Sequence, residues 1–423
     1  LSRVLQEPQY VAMIGDLIEG AGMRRDDLCS AVRKRLKRLP APHRAHYGVV
    51  PPPPPEASIP LGRAAARHEA ARAALAEADA LAAGGADPYL TSRVLARREA
   101  VSSSSIEGTN GTLREVLSIE EGGDGEAGAE ARQARDYAAA LDRLVPRARA
   151  RGHTVFTVDL VRSLHRAVVR ADPDHEGVPG ALRDRVVWVG GRSIASSSWT
   201  PPPPEDVEPC LRQTVDYLRN EGLQSMTQGP ITRMAVAHAH FEAVHPFRDG
   251  NGRVGRLLLP LMMAADGHVP LYLSPYIEAH KEAYFQSLKD AQRRLDWPSA
   301  IGFLSDAIVG TVDELMATRR ALEGLRRIWL GRRPFRGGSA ARRALALLPQ
   351  YPVVTVRRLA ALLGVSVERA SVAVDQLRDA GILSGRTGRG RNGVFMADEV
   401  LAIVDRPFGE EPELPQDGAA PES

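Results

Sequence analysis

Apolar residues recur at helical spacing through most of the chain. An alanine-rich stretch from Arg63 to about Ala83 predicts a strong helix, broken at Gly84-Gly-Ala-Asp-Pro88, and a second helix is expected from Tyr89 to about Ser105. The same periodicity marks helices over Glu130 to Arg151, from Thr157 onward, from Val207 to about Asn220 and from Ile231 to Val244. The run Leu257-Leu-Leu-Pro-Leu-Met-Met263 reads as a buried helix, Leu273 to Leu288 as another, and 299–329 as a long connector anchored by Trp297 and Phe303. Residues 1–45 interleave basic and apolar positions and are also expected to be helical. Only Asp184 to Gly191, returning through Ser196–Thr200, reads as a strand and turn. Up to residue 330 the pattern therefore predicts a mainly α fold with one β-hairpin.

Prolines and glycines divide this helical chain. The pentaproline 51–55 predicts a stiff extended strap, and the tetraproline 201–204 caps the helix that follows it. Glu120 to Gly128 reads as a flexible acidic linker. Beyond the basic stretch 331–338, helices are expected over Ala340–Leu348, Thr355–Leu363 and Ser366–Ala380. A hairpin tipped by Arg386, Arg389 and Arg391 follows, and the whole resembles a winged helix. Four regions result: 1–128, N-terminal and helical; 129–330, a core; 336–400, the winged-helix-like unit (α+β); and 401–423, an acidic, proline-rich tail expected to be disordered.

Composition narrows the function classes without choosing among them. The 423 residues carry a net charge of only +3, yet Arg319 to Arg391 holds sixteen arginines against four acids. That excess makes duplex DNA a candidate partner for 340–398, although the helix Ser366–Ala380 carries Glu368, Asp375 and Asp379 as well as Arg369 and Arg378, and a docking role competes. The longest apolar stretch, 257–265, is too short to span a bilayer, so no membrane partner is expected. Cys29 and Cys210 make neither a disulfide framework nor a metal cluster, which points to a reducing cytoplasm. The oligomeric state is open, a homodimer included.

The chemistry concentrates in His245-Pro-Phe-Arg-Asp-Gly-Asn-Gly-Arg-Val-Gly-Arg256. Gly250, Asn251 and Gly252 form a turn whose backbone N–H groups suit an anion nest, and the apolar run behind it puts that nest at a helix N-terminus. Asp249 is a hard oxygen ligand suited to Mg²⁺ between phosphates. Arg253 and Arg256 are three apart, share a helix face, and both reach toward a phosphate tail. His245 alone here titrates near neutrality. His238, Glu242 and His245 recur at i, i+4 and i+7 and raise a zinc alternative, which competes with Mg²⁺ and phosphate for His245. His165 lacks acidic or cysteine neighbours and reads as a packed helix residue.

The loop resembles the signature of the Fic family, His-x-Phe-x-Asp/Glu-Gly-Asn-Gly-Arg-x-x-Arg, with every fixed position filled. The resemblance implies a helical bundle that transfers AMP from ATP and Mg²⁺ to a Tyr, Ser or Thr hydroxyl of a target protein. It implies His245 as the base, Asp249 as the metal ligand, and Gly250, Asn251, Gly252, Arg253 and Arg256 around the phosphates. Ser103, Glu107 and Gly108 match the family's inhibitory motif, in which the glutamate pairs with the second arginine, here Arg256. The hairpin 185–200 matches the family's flap, which docks a target segment by β-augmentation. Val187, Trp188, Val189 and Gly190 would flank the nucleotide, and Tyr284 would lie beside the adenine. Removal of AMP, transfer of another nucleotide, and a nucleotide-sensing DNA-binding regulator are the competing readings.

Overall fold

The computed structural model describes residues 22–84, 93–122, 128–386 and 393–415. Two short strands, β1 (Leu36–Arg38) and β2 (Tyr47–Val49), precede α1 (Ala65–Ala83), α2 (Arg93–Ile106), α3 (Leu113–Glu120), α4 (Ala129–Arg151) and α5 (Val158–Val169). Then come α6 (Pro204–Leu218), α7 (Pro230–Val244), α8 (Asn251–Ala265), α9 (Ser274–Ala279), α10 (Lys281–Arg294) and the 36-residue α11 (Trp297–Arg332). The C-terminal unit contains α12 (Ala340–Leu347), β3 (Val353–Thr355), α13 (Val356–Leu363), α14 (Val367–Asp379), β4 (Ser384–Arg386), β5 (Val394–Met396) and α15 (Asp398–Val404). The protein is mainly helical, with small antiparallel sheets.

The centre is the pair α7 and α8. Every residue of α7 from Ile231 to Val244 is buried, as expected of a helix enclosed on all sides. Its partner α8 is buried from Arg253 to Ala264 and is closed on its other faces by α2, α4 and α5. Leu257, Leu258, Leu259, Leu261, Met262 and Met263 are each at most 2% exposed, a burial that stabilises by about 1.5–3 kcal/mol per side chain. The long helix α11 packs along α1, α7 and α10 and continues to α12 and α15.

Local chemistry explains the helix starts. Thr112 and Glu115 form a capping box at α3, Thr157 caps α5 through the Leu160 N–H, and prolines stand in the first turn of α6, α7, α9 and α11. In the C-terminal unit Ser339, Thr355 and Ser366 cap α12, α13 and α14, and Gly364 ends α13 in the left-handed conformation. The sheet order there is β3-β5-β4, with Val353 opposite Met396 and Ser384 opposite Met396. The exposed side of α14 carries Val367, Val372 and three acids beside Arg369 and Arg378.

The structure departs from the sequence reading in several places. Residues 30–33 form one helical turn, but Leu36–Arg38 then pairs with Tyr47–Val49, because Pro40 and Pro42 break the helix and the interleaved basic residues suit an exposed edge. The proline run 51–55 carries neither helix nor strand, and Gln228 Nε2 pins its exit by donating to the Pro55 and Ala57 carbonyls. Between 184 and 200 there is a single bridge, Val189 with Trp199, in place of two strands. The left-handed Gly190 and Gly191 and the 3₁₀ turn Ile194–Ser196 take up the residues needed for a longer ladder.

At the C-terminus the expected disorder does not begin at 401. Leu401, Ile403 and Val404 are buried on α15, Arg406 is buried against Glu314 and Thr318, and Phe408 meets the Tyr276 ring edge-on. Those apolar and paired residues hold the chain to α11 and α9 as far as Phe408. The start of the helix expected at Tyr89, most of the acidic linker, the hairpin-tip residues Arg389 and Arg391, and the last part of the tail lie outside the described residues. Glu120 and Glu121, at the head of that linker, are held by Arg93 and Arg97, and Glu121 also lies 3.6 Å from Arg358 of α13.

Candidate active site

The loop 245–250 joins the buried ends of α7 and α8, and its shape is fixed from both sides. His245 closes α7 in the left-handed conformation, φ 47°, which is costly for a residue with a Cβ and needs outside support. Pro246 prevents continuation of the helix. Phe247 is fully buried and stacks on the His165 ring at 3.9 Å. Its N–H donates to Asn251 Oδ1 and its carbonyl accepts from Asn251 Nδ2, so one side chain staples the turn.

His165 contributes more than packing. Gly180 N–H donates to its Nδ1 at 2.8 Å, which leaves the proton on Nε2 to meet the Asp249 carbonyl at 3.1 Å. Burial, with His175 nearby, holds its pKa down at about 4, so the ring is neutral and keeps both bonds. Sequence reasoning had no signal for this, since the partner lies 84 residues away.

Gly250 enters α8 at φ 74°, where only glycine is at ease. The first N–H groups of α8 follow, where no intrahelical acceptor exists for them. Asp249 presents a carboxylate that is 57% exposed and accepts from Arg253 Nη2 at 3.2 Å. Arg253 is itself buried, its Nη1 donating to Gln133 Oε1 of α4 at 2.7 Å. Gln133 was not singled out from the sequence, and nothing in its neighbourhood marks it.

Arg256 is 1% exposed and reaches across to α2. Its Nε donates to Ser103 Oγ at 2.9 Å, and its Nη2 donates to the Ser103 carbonyl at 2.8 Å and to Glu107 Oε1 at 2.7 Å. Two of the anticipated triplet, Ser103 and Glu107, thus meet the anticipated arginine. Gly108 stands at φ 90°, just past α2, and turns the chain so that Glu107 faces Arg256. Glu107 also covers the nest: a Cβ on Gly252 would lie 2.2 Å from Glu107 Oε1. A carboxylate therefore occupies the helix N-terminus, where an anion is most favoured.

Below this contact, α2 is anchored by Glu99. Its carboxylate accepts from Ser274 N–H, Ser274 Oγ and Tyr137 OH, and burial raises its pKa. Glu99, Ser103 and Glu107 are four apart on one helix stripe, a spacing that sequence inspection could have used. Tyr284, expected beside adenine, is buried with its hydroxyl 2.8 Å from His238 Nε2 and packs on Phe285 and Phe303. Val187 to Gly190 are half-buried, and Trp188 meets the His43 ring edge-on.

The electrostatics favour an unprotonated histidine. Burial and the Arg183 charge push the His245 pKa down to about 4, against smaller raising contributions from Glu107 and Asp249. Glu242, one turn before it, moves the other way, to about 8, because it is buried. Among the described residues no group of three His, Cys, Asp or Glu side chains is placed to hold a metal ion unaided, which leaves Asp249 as a single carboxylate. One exposed carboxylate is the donor set Mg²⁺ uses when phosphates and water complete its shell.

The Fic/DOC family profile matches residues 155–263, and the Fic/DOC family N-terminal profile matches residues 65–144. A protein adenylyltransferase of Caenorhabditis elegans is 38% identical over 133 residues, covering 31% of this chain and 23% of the relative. A probable protein adenylyltransferase of Aquifex aeolicus is 34% identical over 99 residues, covering 23% of this chain and 28% of the relative. The match thus spans about a quarter of the length of these curated relatives. A crystal structure of a Fic family protein from Desulfovibrio desulfuricans aligns with 82% of this chain and 98% of its own, at 20% identity and a TM-score of 0.49. With both profiles matched and the complete loop lying within the first of them, residues 65–144 and 155–263 of this chain are Fic family sequence.

Proposed function

We propose that this protein is a protein adenylyltransferase that moves AMP from ATP to a hydroxyl of a target protein and is held back by Glu107. The observation that carries the reading is the nest of Gly250, Asn251 and Gly252, with His245 before it and a carboxylate resting on it. In the reaction a Tyr, Ser or Thr hydroxyl oxygen attacks the α-phosphorus of ATP. His245, neutral at physiological pH, takes the hydroxyl proton, and the bond to the pyrophosphate oxygen breaks. The nest N–H groups stabilise the charge carried by the phosphates, Arg253 steadies the loop and the β-phosphate, and Arg256 takes the γ-phosphate. Mg²⁺ held by Asp249 would supply charge neutralisation across the phosphates.

Glu107 opposes this because it uses the same guanidinium and the same helix terminus. While it is in place, ATP cannot seat its γ-phosphate, and the α-phosphate is not in line for attack. The segment 185–200 offers backbone edges to an extended target strand, which supports docking there. Incubating the Glu107→Gly variant with α-labelled and, separately, γ-labelled ATP tests the reading. AMP transfer labels protein from the α position only. Label from the γ position would indicate phosphoryl transfer, and no label from either would favour a nucleotide sensor.

A further inference from the structure

Four consecutive carbonyls leave the C-terminal end of α7, and the segment around 183–202 caps every one of them. Trp199 Nε1 donates to the Ala243 carbonyl at 2.9 Å. Arg183 Nη2 donates to Val244 at 3.3 Å, Arg183 Nε to His245 at 2.8 Å, and the Arg183 backbone N–H to Pro246 at 2.9 Å. The same guanidinium turns back to its own segment, donating to the Pro202 carbonyl at 2.6 Å and the Arg185 carbonyl at 3.3 Å.

This is an unusual use of an arginine. Arg183 is 3% exposed, and each of these acceptors is a backbone carbonyl rather than a carboxylate. Burial pulls its pKa down to about 10, which still leaves it charged at neutral pH. A buried charge is tolerated at a helix C-terminus, where the last carbonyls lack partners and the dipole is negative. The cation also offsets the strain of the left-handed His245 by holding its carbonyl directly. Trp199, 1% exposed and bridged to Val189, gives the segment a second attachment one residue upstream of the Val244 contact.

We propose that Arg183 is a positioning residue for AMP transfer: it locks the 183–202 segment to the backbone of His245, so that a hydroxyl presented on that segment is held in fixed register with the His245 ring. The proposal rests on the adenylyltransferase reading and adds to it a route by which target docking and base placement become one rigid unit. A shift of about 1 Å between hydroxyl and base is enough to cost about 100-fold in rate.

Arg183→Gln and Arg183→Lys are made in the Glu107→Gly protein, together with Trp199→Phe, which removes one attachment only. Three quantities are measured: binding of labelled ATP by equilibrium dialysis, self-labelling from α-labelled ATP, and hydrogen exchange over 183–202 and 243–249. Arg183→Gln should lower the labelling rate about 100-fold while ATP affinity stays within about twofold, and Arg183→Lys should recover part of the rate. Exchange should rise in both segments together and stay unchanged over 65–83. A merely stabilising arginine would lower rate and ATP affinity by similar factors, or loosen 183–202 while 243–249 keeps its protection; either result overturns the proposal. If the Glu107→Gly parent transfers no AMP, the adenylyltransferase reading fails, and uncoupled exchange in the two segments would separately refute the lock.

Discussion

Glu107 and Arg256, 149 residues apart in sequence, are joined by a hydrogen bond of 2.7 Å above the first turn of α8. Arg256 is almost wholly buried, whereas the Glu107 side chain keeps 27% of its surface exposed. The exposed partner is the one that can leave, since withdrawing it costs less desolvation imbalance than moving the guanidinium.

Replacing Glu107 by glycine should therefore release Arg256 and the nest without disturbing the core. We expect labelling from α-labelled ATP to rise about 5- to 150-fold, the range of typical coupling energies between competing ligands. Unchanged labelling in a protein that melts normally would refute the restraint.

His245→Ala should lower transfer by about 10²- to 10⁴-fold, the usual contribution of a positioned base. ATP affinity should be retained, because the nest and both arginines stay in place. The check is α-label incorporation beside equilibrium binding of ATP. Full incorporation would mean another group takes the proton.

Gly108→Ala addresses the turn that presents Glu107. At φ 90° an alanine Cβ strains the backbone by about 1–2 kcal/mol. Stability should fall by roughly that amount in a denaturant melt, and transfer should rise above the parent level but below that of Glu107→Gly. A variant with parental activity would show that the turn does not govern how Glu107 is presented.

Glu242 gives a pH signature. Its folded pKa is raised from 4.5 to about 8 by burial, so between those values the unfolded chain gives up a proton that the folded protein keeps. Its contribution to stability consequently falls as pH rises through that window, by at most about 1.4 kcal/mol per pH unit. Glu242→Gln removes the slope. Its melting temperature relative to the parent should climb from pH 5 to pH 8, and a constant difference would count against the assignment.

Much of the site was legible because its parts are contiguous or follow simple helix geometry. The loop 245–256 shows its residue types side by side, and Ser103-x-x-x-Glu107-Gly108 presents one helix stripe and the glycine that ends it. The supports were not legible. Arg183, His165 and Gln133 act through partners 62, 84 and 120 residues away, and each looks locally like an ordinary helix or loop residue. The same holds for errors in the fold. Alternation at 184–191 suggested a ladder, but two left-handed glycines and a 3₁₀ turn limit it to one bridge. Acidity and proline at 401–415 suggested disorder, but Ile403, Arg406 and Phe408 find partners on α11 and α9 that no local window reveals.

Gly252 has no side chain on the face that Glu107 covers. The space a Cβ would fill is where Glu107 Oε1 sits, and it is also the space a phosphate needs to approach the α8 backbone. A substitution there would exclude restraint and substrate alike. On the adenylyltransferase reading, mutations that free the site while sparing its chemistry are thus confined to one side of the contact, the α2 side. A screen for overactive variants should return changes at 103–108 and none at 252.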